Sequence, residues 1–311
     1  MRVYGQIFAR HAELVMERSA QAREVIANSL KEEGARPVVV GCYQMRNHCG
    51  GIEGKRGNLQ RMLAAMRQAA EAGAQVLAFP EMCLPGYFTP LAGTVAGARE
   101  ANRQLADEVG NSPFLAQLQD AAREAALVIA FGFSERAGDL LYNSIGVVDA
   151  DGSWLGVRRK NPLYPWPYET ESFAEPDASL RSAVLCTRYA TVGISNCFDG
   201  EFPESVRRMR LEGTELLLWC NAACGDSAHG TSHRINHSGS HAQANHMWVV
   251  CCNCAAVNAS GTSLIVGPSG EPLVILPPDE EALGIATINL AMSAEWDIWR
   301  TRLGPEWVDY R

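Results

Sequence analysis

Three residues able to do chemistry close apolar runs of this 311-residue chain. Glu81 follows Gln75 to Phe79, Lys160 follows Trp154 to Val157, and Cys197 follows Thr191 to Asn196. Each run reads as a short buried strand, so all three stand at strand ends. A cysteine on a strand-to-helix turn is raised out of the sheet, and nearby backbone N–H groups and positive charge favour its thiolate. The turn Cys197-Phe198-Asp199-Gly200-Glu201-Phe202-Pro203 has that form, with Gly200 expected to relieve backbone strain. Taken singly, each residue also has a plainer reading: a buried structural thiol, a surface lysine, a carboxylate capping a loop.

The elements that must position them alternate between strand and helix. Apolar spacing predicts a helix over 8–33 with Gly34 as its stop, then a strand from Pro37 to Gly41. Asn58 is read as the cap of a helix carrying Leu59, Met62, Leu63 and Met66 on one face. Ser112-Pro113 opens another helix, with serine as cap and proline at the first position. Strands follow at Leu127 to Phe133 and in a hairpin, Tyr142 to Val148 and Trp154 to Val157, about the Asp151-Gly152 turn. Beyond the turn at Cys197 come a helix near Glu204 to Leu211, a strand from Glu215 to Trp219, a helix over 232–246, and four more strands ending at Leu283 to Leu290. No linker or repeat divides the chain, and chemistry in such α/β sheets collects at the carboxyl ends of strands.

Composition excludes several classes. The chain is 47% hydrophobic, too apolar for disorder. Its 27 basic and 35 acidic residues leave a net charge of −8, which counts against nucleic acid or an anionic membrane as partner. The segment Ile235 to Gly270 lacks Asp, Glu, Lys and Arg, yet Asn236, Asn245, Asn253, Asn258, Gly261 and Pro268 break it, so no membrane span is expected. Without a basic segment leading into an apolar run, a cytoplasmic location with ten reduced cysteines is the expectation.

In combination and order the motifs are more specific than any one residue. Phe79-Pro80-Glu81 precedes Leu84-Pro85-Gly86-Tyr87. Arg159-Lys160 follows a hairpin containing Tyr142-Asn143-Ser144. Cys197-Phe198-Asp199-Gly200-Glu201-Phe202-Pro203-Glu204 precedes Arg207 and Arg208. This set resembles the nitrilase (carbon–nitrogen hydrolase) superfamily over about 37–290, leaving 1–36 as an N-terminal helical extension and 291–311 as a tail with Trp296, Trp299 and Trp307. The resemblance implies an α/β fold, a four-layer α-β-β-α sandwich, with a catalytic Glu81, Lys160 and Cys197 and no cofactor or metal. It implies a homodimer or higher homo-oligomer, for which the Trp-rich tail is a candidate contact.

The family carries a second glutamate after the lysine. Here the loop offers Glu169, after Pro165-Trp166-Pro167 as in aliphatic amidases and formamidases, with Glu171 in reserve; Pro162 stands where many members have histidine. The spacing from Glu169 to Phe173 also matches ureidopropionase-like members. On this resemblance Glu81 moves protons, Cys197 attacks the amide carbon, and Lys160 with the Phe198 N–H holds the oxyanion. Tyr87, Trp166 and Glu201 stand as substrate-contact candidates. The expected activity is hydrolysis of a small linear amide through a cysteine thioester, with an N-carbamoyl amine or N-carbamoyl-β-alanine as the alternative. Glu201 occupies the place where carbamoyl-amino-acid hydrolases tend to carry arginine. A carboxylate there would repel an anionic substrate, which favours a neutral or cationic one; pairing with Arg207 or Arg208 is the competing reading.

A rival class rests on His229, His233, His237 and His241, four residues apart, with His246 beyond. On one helix they share a face and could hold a transition metal. Gly230, Ser238 and Gly239 weaken that helix, and the segment offers no carboxylate of its own.

Overall fold

The architecture follows from strands that are apolar on both faces. The computed structural model describes residues 17–87, 94–177, 184–222, 227–255 and 261–295. An N-terminal helix, α1 (17–29), is the described part of the helix expected over 8–33. Then come β1 (Pro37–Gln44), α2 (Gly51–Glu71), β2 (Val76–Ala78), α3 (Val95–Leu105), α4 (Pro113–Ala125), β3 (Val128–Ala137), β4 (Leu140–Val148), β5 (Trp154–Arg159) and α5 (Pro167–Thr170). The second half holds β6 (Val184–Cys186), β7 (Thr191–Asn196), α6 (Pro203–Leu211), β8 (Leu216–Cys220), α7 (Ser227–Asn245), β9 (Trp248–Cys252), β10 (Leu264–Val266), β11 (Pro272–Ile275) and β12 (Ala282–Asn289).

Two six-stranded sheets result, ordered β12-β1-β2-β3-β4-β5 and β11-β10-β9-β8-β7-β6. Side chains alternate across each sheet. Val76 and Ala78 of β2 join Val192, Ile194, Leu216 and Leu218 in the layer between the sheets. Leu77, between them in sequence, faces the other way onto Leu59, Met62 and Met66 of α2 and Leu118 of α4. On the far side Leu217, Trp219, Val249 and Cys251 pack with Val206 and Met209 of α6 and Ala242 of α7. This is the α-β-β-α sandwich. Burial on both faces explains why β2, β8, β9 and β10 are continuous apolar runs with no polar alternation. Among the described residues, no helix is long and apolar enough to cross a membrane.

Local signals hold where the cap is a side chain. The Ser112 hydroxyl accepts hydrogen bonds from the Phe114 and Leu115 N–H groups at 3.1 and 3.2 Å, as expected of the helix start. Asn58 differs. The helix begins at Gly51, and Asn58 lies buried within it, donating to the His48 and Leu84 carbonyls at 3.0 and 3.1 Å. Its amide ties α2 to two loops, so a tertiary contact explains the residue. Helix α3, capped by Thr94, was not foreseen from the sequence. Trp296, Trp299 and Trp307 lie outside the described residues.

One close approach sets the position of Glu81. Gly132 of β3 donates from its N–H to the Pro80 carbonyl and accepts the Leu84 N–H, both at 3.1 Å. A Cβ at Gly132 would stand 2.1 Å from the Met82 nitrogen. Gly132→Ala is therefore expected to destabilise the fold by about 1–3 kcal/mol, the usual cost of overpacking. Gly57→Ala, on the exposed face of α2 with nothing within 4 Å, is expected to stabilise it by about 0.5–1 kcal/mol. Urea unfolding midpoints of the two variants should move in opposite directions; a Gly132→Ala midpoint at or above wild type would contradict this packing.

Candidate active site

Glu81, Lys160 and Cys197 follow the carboxyl ends of β2, β5 and β7. The first two strands belong to one sheet and the third to the other, so the three meet where the sheets end together. Backbone and amide bonds join those ends. The Lys160 N–H donates to the Asn143 carbonyl at 2.9 Å, and Asn196, just before the cysteine, donates from its side chain to the same carbonyl at 3.2 Å and to Asn143 Oδ1 at 3.0 Å.

Lys160 is 1% exposed and lies between two carboxylates. Its Nζ is 2.8 Å from Glu81 Oε1 and 2.7 Å from Glu169 Oε1, and both glutamates are equally buried. Asn143 Nδ2 donates to the same two oxygens at 2.7 and 3.2 Å. The second oxygens are also held: the Ala222 N–H donates to Glu81 Oε2 at 3.0 Å, and the Tyr87 hydroxyl to Glu169 Oε2 at 2.9 Å. Burial alone would depress the Lys160 ammonium, but the charges of Glu81, Cys197 and Glu169 raise it above the usual lysine range. Burial raises the Glu169 carboxyl despite Lys160. Burial and the two glutamates raise the Tyr87 phenol far, so it stays a donor.

Cys197 takes a left-handed backbone conformation, φ 49°, at the start of a 3₁₀ turn, Cys197–Glu201. The strain expected to need Gly200 is thus borne by the cysteine itself, at a cost of about 1–2 kcal/mol. Gly200 is required for another reason: a Cβ there would stand 2.3 Å from Trp219 Nε1, the atom that donates to the Cys197 carbonyl at 2.8 Å. Asp199 closes the turn by accepting the Asn196 N–H at 2.6 Å and pairs with buried Arg158 of β5 at 3.0 Å. The residue Cys197 is half-buried but its thiol is desolvated. Burial pushes that thiol above the ordinary cysteine range and the Glu81 charge adds to it. Lys160, Arg234 and the Ala222 N–H oppose the rise without reversing it.

The remaining candidates divide. The Phe198 ring stands between Tyr164 and Phe202, with centroids 5.1 and 5.2 Å away. Trp166 packs edge-on against Tyr168, while its carbonyl accepts the Glu169 N–H at 2.8 Å, so it holds the glutamate through its backbone. Glu171 is exposed and Glu169 is the one on Lys160.

Glu201 departs from its expected place. It does not stand as a bare charge, nor does it pair with Arg207, which bonds the Ala244 carbonyl, or with Arg208, which bonds Glu212. It pairs with Arg234, His233 and His237 of α7. Burial would raise its carboxyl, but the contact with His237, the Arg234 charge and His233 hold it down at about 2. The repulsion argued from an unpaired carboxylate therefore does not apply. Of the other histidines, His241 is buried against the Gly200 carbonyl at 2.8 Å, and burial lowers it to about 4; the His229 side chain lies outside the described residues.

Sequence reasoning missed Asn143, Asn196, Trp219, Asn221 and Arg234. Arg234 is buried, 4.7 Å over the Trp219 ring, and donates to Asn221 Oδ1 at 3.0 Å. Asn143 lay within a quoted motif, and an asparagine facing inward from an apolar strand was the available signal.

Two stacked sheets between helices, with a buried Glu–Lys–Glu group whose charges reach a cysteine, are the setting for the comparisons with known proteins, which make the chain a hydrolase acting on carbon–nitrogen bonds. The chain belongs to the carbon–nitrogen hydrolase family, whose model matches residues 39–298. It is 30% identical over 257 residues to an N-carbamoylputrescine amidase of Arabidopsis thaliana, covering 76% of this chain and 84% of the relative. It is 29% identical over 272 residues to a citrullinase of Francisella tularensis, covering 81% and 91%. Nit3 of Saccharomyces cerevisiae, a nitrilase-superfamily member, shares the fold with a TM-score of 0.72 over 87% of this chain and 97% of its own, at 18% identity.

The site geometry predicts that Asn143→Ala, which removes one donor from each glutamate and one acceptor from Asn196, lowers kcat/KM about 100-fold, as ångström-scale misplacement does. Glu169→Gln should impair kcat while Glu171→Gln leaves it within about twofold. Steady-state ammonia release measures all three, and equal effects of the two glutamate variants would contradict the geometry.

Proposed function

We propose that this chain hydrolyses the C–N bond of a small linear amide to carboxylate and ammonia through a thioester on Cys197. The observation that carries this reading is the buried Lys160 held between Glu81 and Glu169 beside a desolvated thiol. Glu81 takes the thiol proton as the sulfur attacks the carbonyl carbon. The carbonyl electrons move to oxygen, and Lys160 with the Phe198 N–H holds that oxyanion. The Phe198 N–H lies in the first turn of the 3₁₀ segment, where N–H groups lack a partner within the turn. Each such donor contributes about 3–4 kcal/mol in comparable sites. Glu81 returns the proton to the departing nitrogen and ammonia leaves. Glu81 then deprotonates a water, which attacks the thioester and restores the thiol. Glu169 keeps Lys160 in place and balances its charge.

An N-carbamoyl amine is the second reading, favoured by the relatives at 27–30% identity that act, by their names, on N-carbamoylputrescine. Such a substrate presents the same carbamoyl head. Loss of ammonia would leave a thiocarbamate, and water would release a carbamate that decarboxylates to the amine.

Cys197→Ala is expected to abolish ammonia release while the unfolding midpoint stays near wild type; retention of most activity would refute the assignment. Because position 201 holds a paired glutamate and not the arginine that carbamoyl-amino-acid hydrolases tend to carry, short amides and N-carbamoyl amines with a terminal ammonium should exceed N-carbamoyl-β-alanine in kcat/KM by about tenfold or more, about 1.4 kcal/mol in the transition state. A carbamoyl acid that wins by that margin would overturn the substrate class.

A further inference from the structure

The histidine series of α7 has a use that the hydrolytic site does not absorb. His233 and His237 are one helical turn apart, and their rings lie nearly parallel, with centroids 4.5 Å apart and planes 31° from one another. The carboxylate missing from their own segment comes from the nucleophile turn: Glu201 Oε2 is 2.8 Å from His233 Nε2 and 2.9 Å from His237 Nδ1. The contact to His237 lacks hydrogen-bond geometry and leaves its Nδ1 without a bonding partner among the described residues. All three donor atoms fall within 4.8 Å of one another.

We propose that Glu201, His233 and His237 form a binding site for a divalent transition ion of the Zn2+ type, outside the Glu81–Lys160–Glu169–Cys197 group. A tetrahedral ion with ligand bonds of about 2.0–2.1 Å spaces its donors about 3.4 Å apart. The Glu201 oxygen is closer than that to each histidine nitrogen, at 2.8 and 2.9 Å, and the two nitrogens lie within 4.8 Å of each other, so side-chain rotations that open the carboxylate contacts complete three ligands, and water supplies the fourth. Access is open. The His233 and His237 side chains are 45% and 34% exposed. A cleft of about 350 Å³ between α6 and α7, lined by Pro203, Arg207, His237 and His241, reaches the second of them.

The surrounding charges select the ion. Arg234 bonds Glu201 Oε1 and leaves Oε2 to the histidines. Its guanidinium repels any cation and uses half of the carboxylate. An oxygen-seeking ion such as Mg2+ or Ca2+ finds one shared carboxylate oxygen and is not held. An imidazole-seeking ion gains two nitrogen ligands and tolerates the neighbour. Since Glu201 ends the turn that begins at Cys197, the ion would fasten α7 to that turn.

The experiment uses the full chain with Cys186→Ala and Cys197→Ala, which removes the exposed thiol among the described residues and the nucleophile as competing ligands. After chelator stripping and reduction, Zn2+ is titrated against a chromophoric chelator, and Co2+ binding is read by absorption. The expected result is one equivalent of Zn2+ per chain, a Co2+ d–d spectrum without a sulfur charge-transfer band, and affinity at least about tenfold weaker in both His233→Gln and His237→Ala. His233 is exposed enough that its substitution leaves folding intact, and circular dichroism checks both variants. Failure to bind an equivalent, a thiolate band, or an affinity unchanged in either variant overturns the proposal. Because the nucleophile is absent throughout, the outcome is independent of the proposed hydrolysis.

Discussion

The whole site depends on one buried cation. Lys160 has lost its water and is 1% exposed, so its charge needs anionic partners, and it has two within 2.8 Å. Two carboxylates so close would repel without the ammonium between them, and the ammonium could not stay charged without them. Removing one member of such a group typically costs about 3–5 kcal/mol, because the others remain buried and unpaired. Tyr87, Asn143 and the Ala222 N–H donate to further lone pairs of the two carboxylates, which ties the group into one network. Burial, and after it the charge of Glu81, raises the Cys197 thiol above the ordinary cysteine range.

The sandwich supplies the positions. Parallel pairing of β1 with β2, of β2 with β3, and of β8 with both β7 and β9 puts successive carboxyl ends on common edges of the two sheets. Asn143 and Asn196 bridge those edges, and the Arg158–Asp199 pair ties β5 to the turn that bears the cysteine. Trp219 supports the turn from below through the Cys197 carbonyl, and only glycine at position 200 leaves it room. The left-handed conformation of Cys197 is held by these contacts.

Much of this was legible in the amino-acid order because it is local. Apolar runs bounded by turn residues mark the strands, Ser112-Pro113 marks a helix start, and the three chemical side chains follow their strands directly. What was not legible depends on partners distant in sequence. Asn58 looks like a cap until the His48 and Leu84 carbonyls are beside it. Glu201 looks like a free charge until α7, some thirty residues later, brings Arg234, His233 and His237. The histidine repeat looked short of a carboxylate for the same reason. Asn143 carries no periodic signal, and its role exists only once Glu81, Glu169 and Asn196 converge on it.

The most direct measurement is rapid-quench mass spectrometry of the wild-type chain during turnover of a short amide. The account predicts a transient adduct with the mass of the acyl group, mapped to the Cys197 peptide and formed no more slowly than the steady-state rate. Turnover with no adduct on Cys197, or with the acyl group on another cysteine, would contradict it.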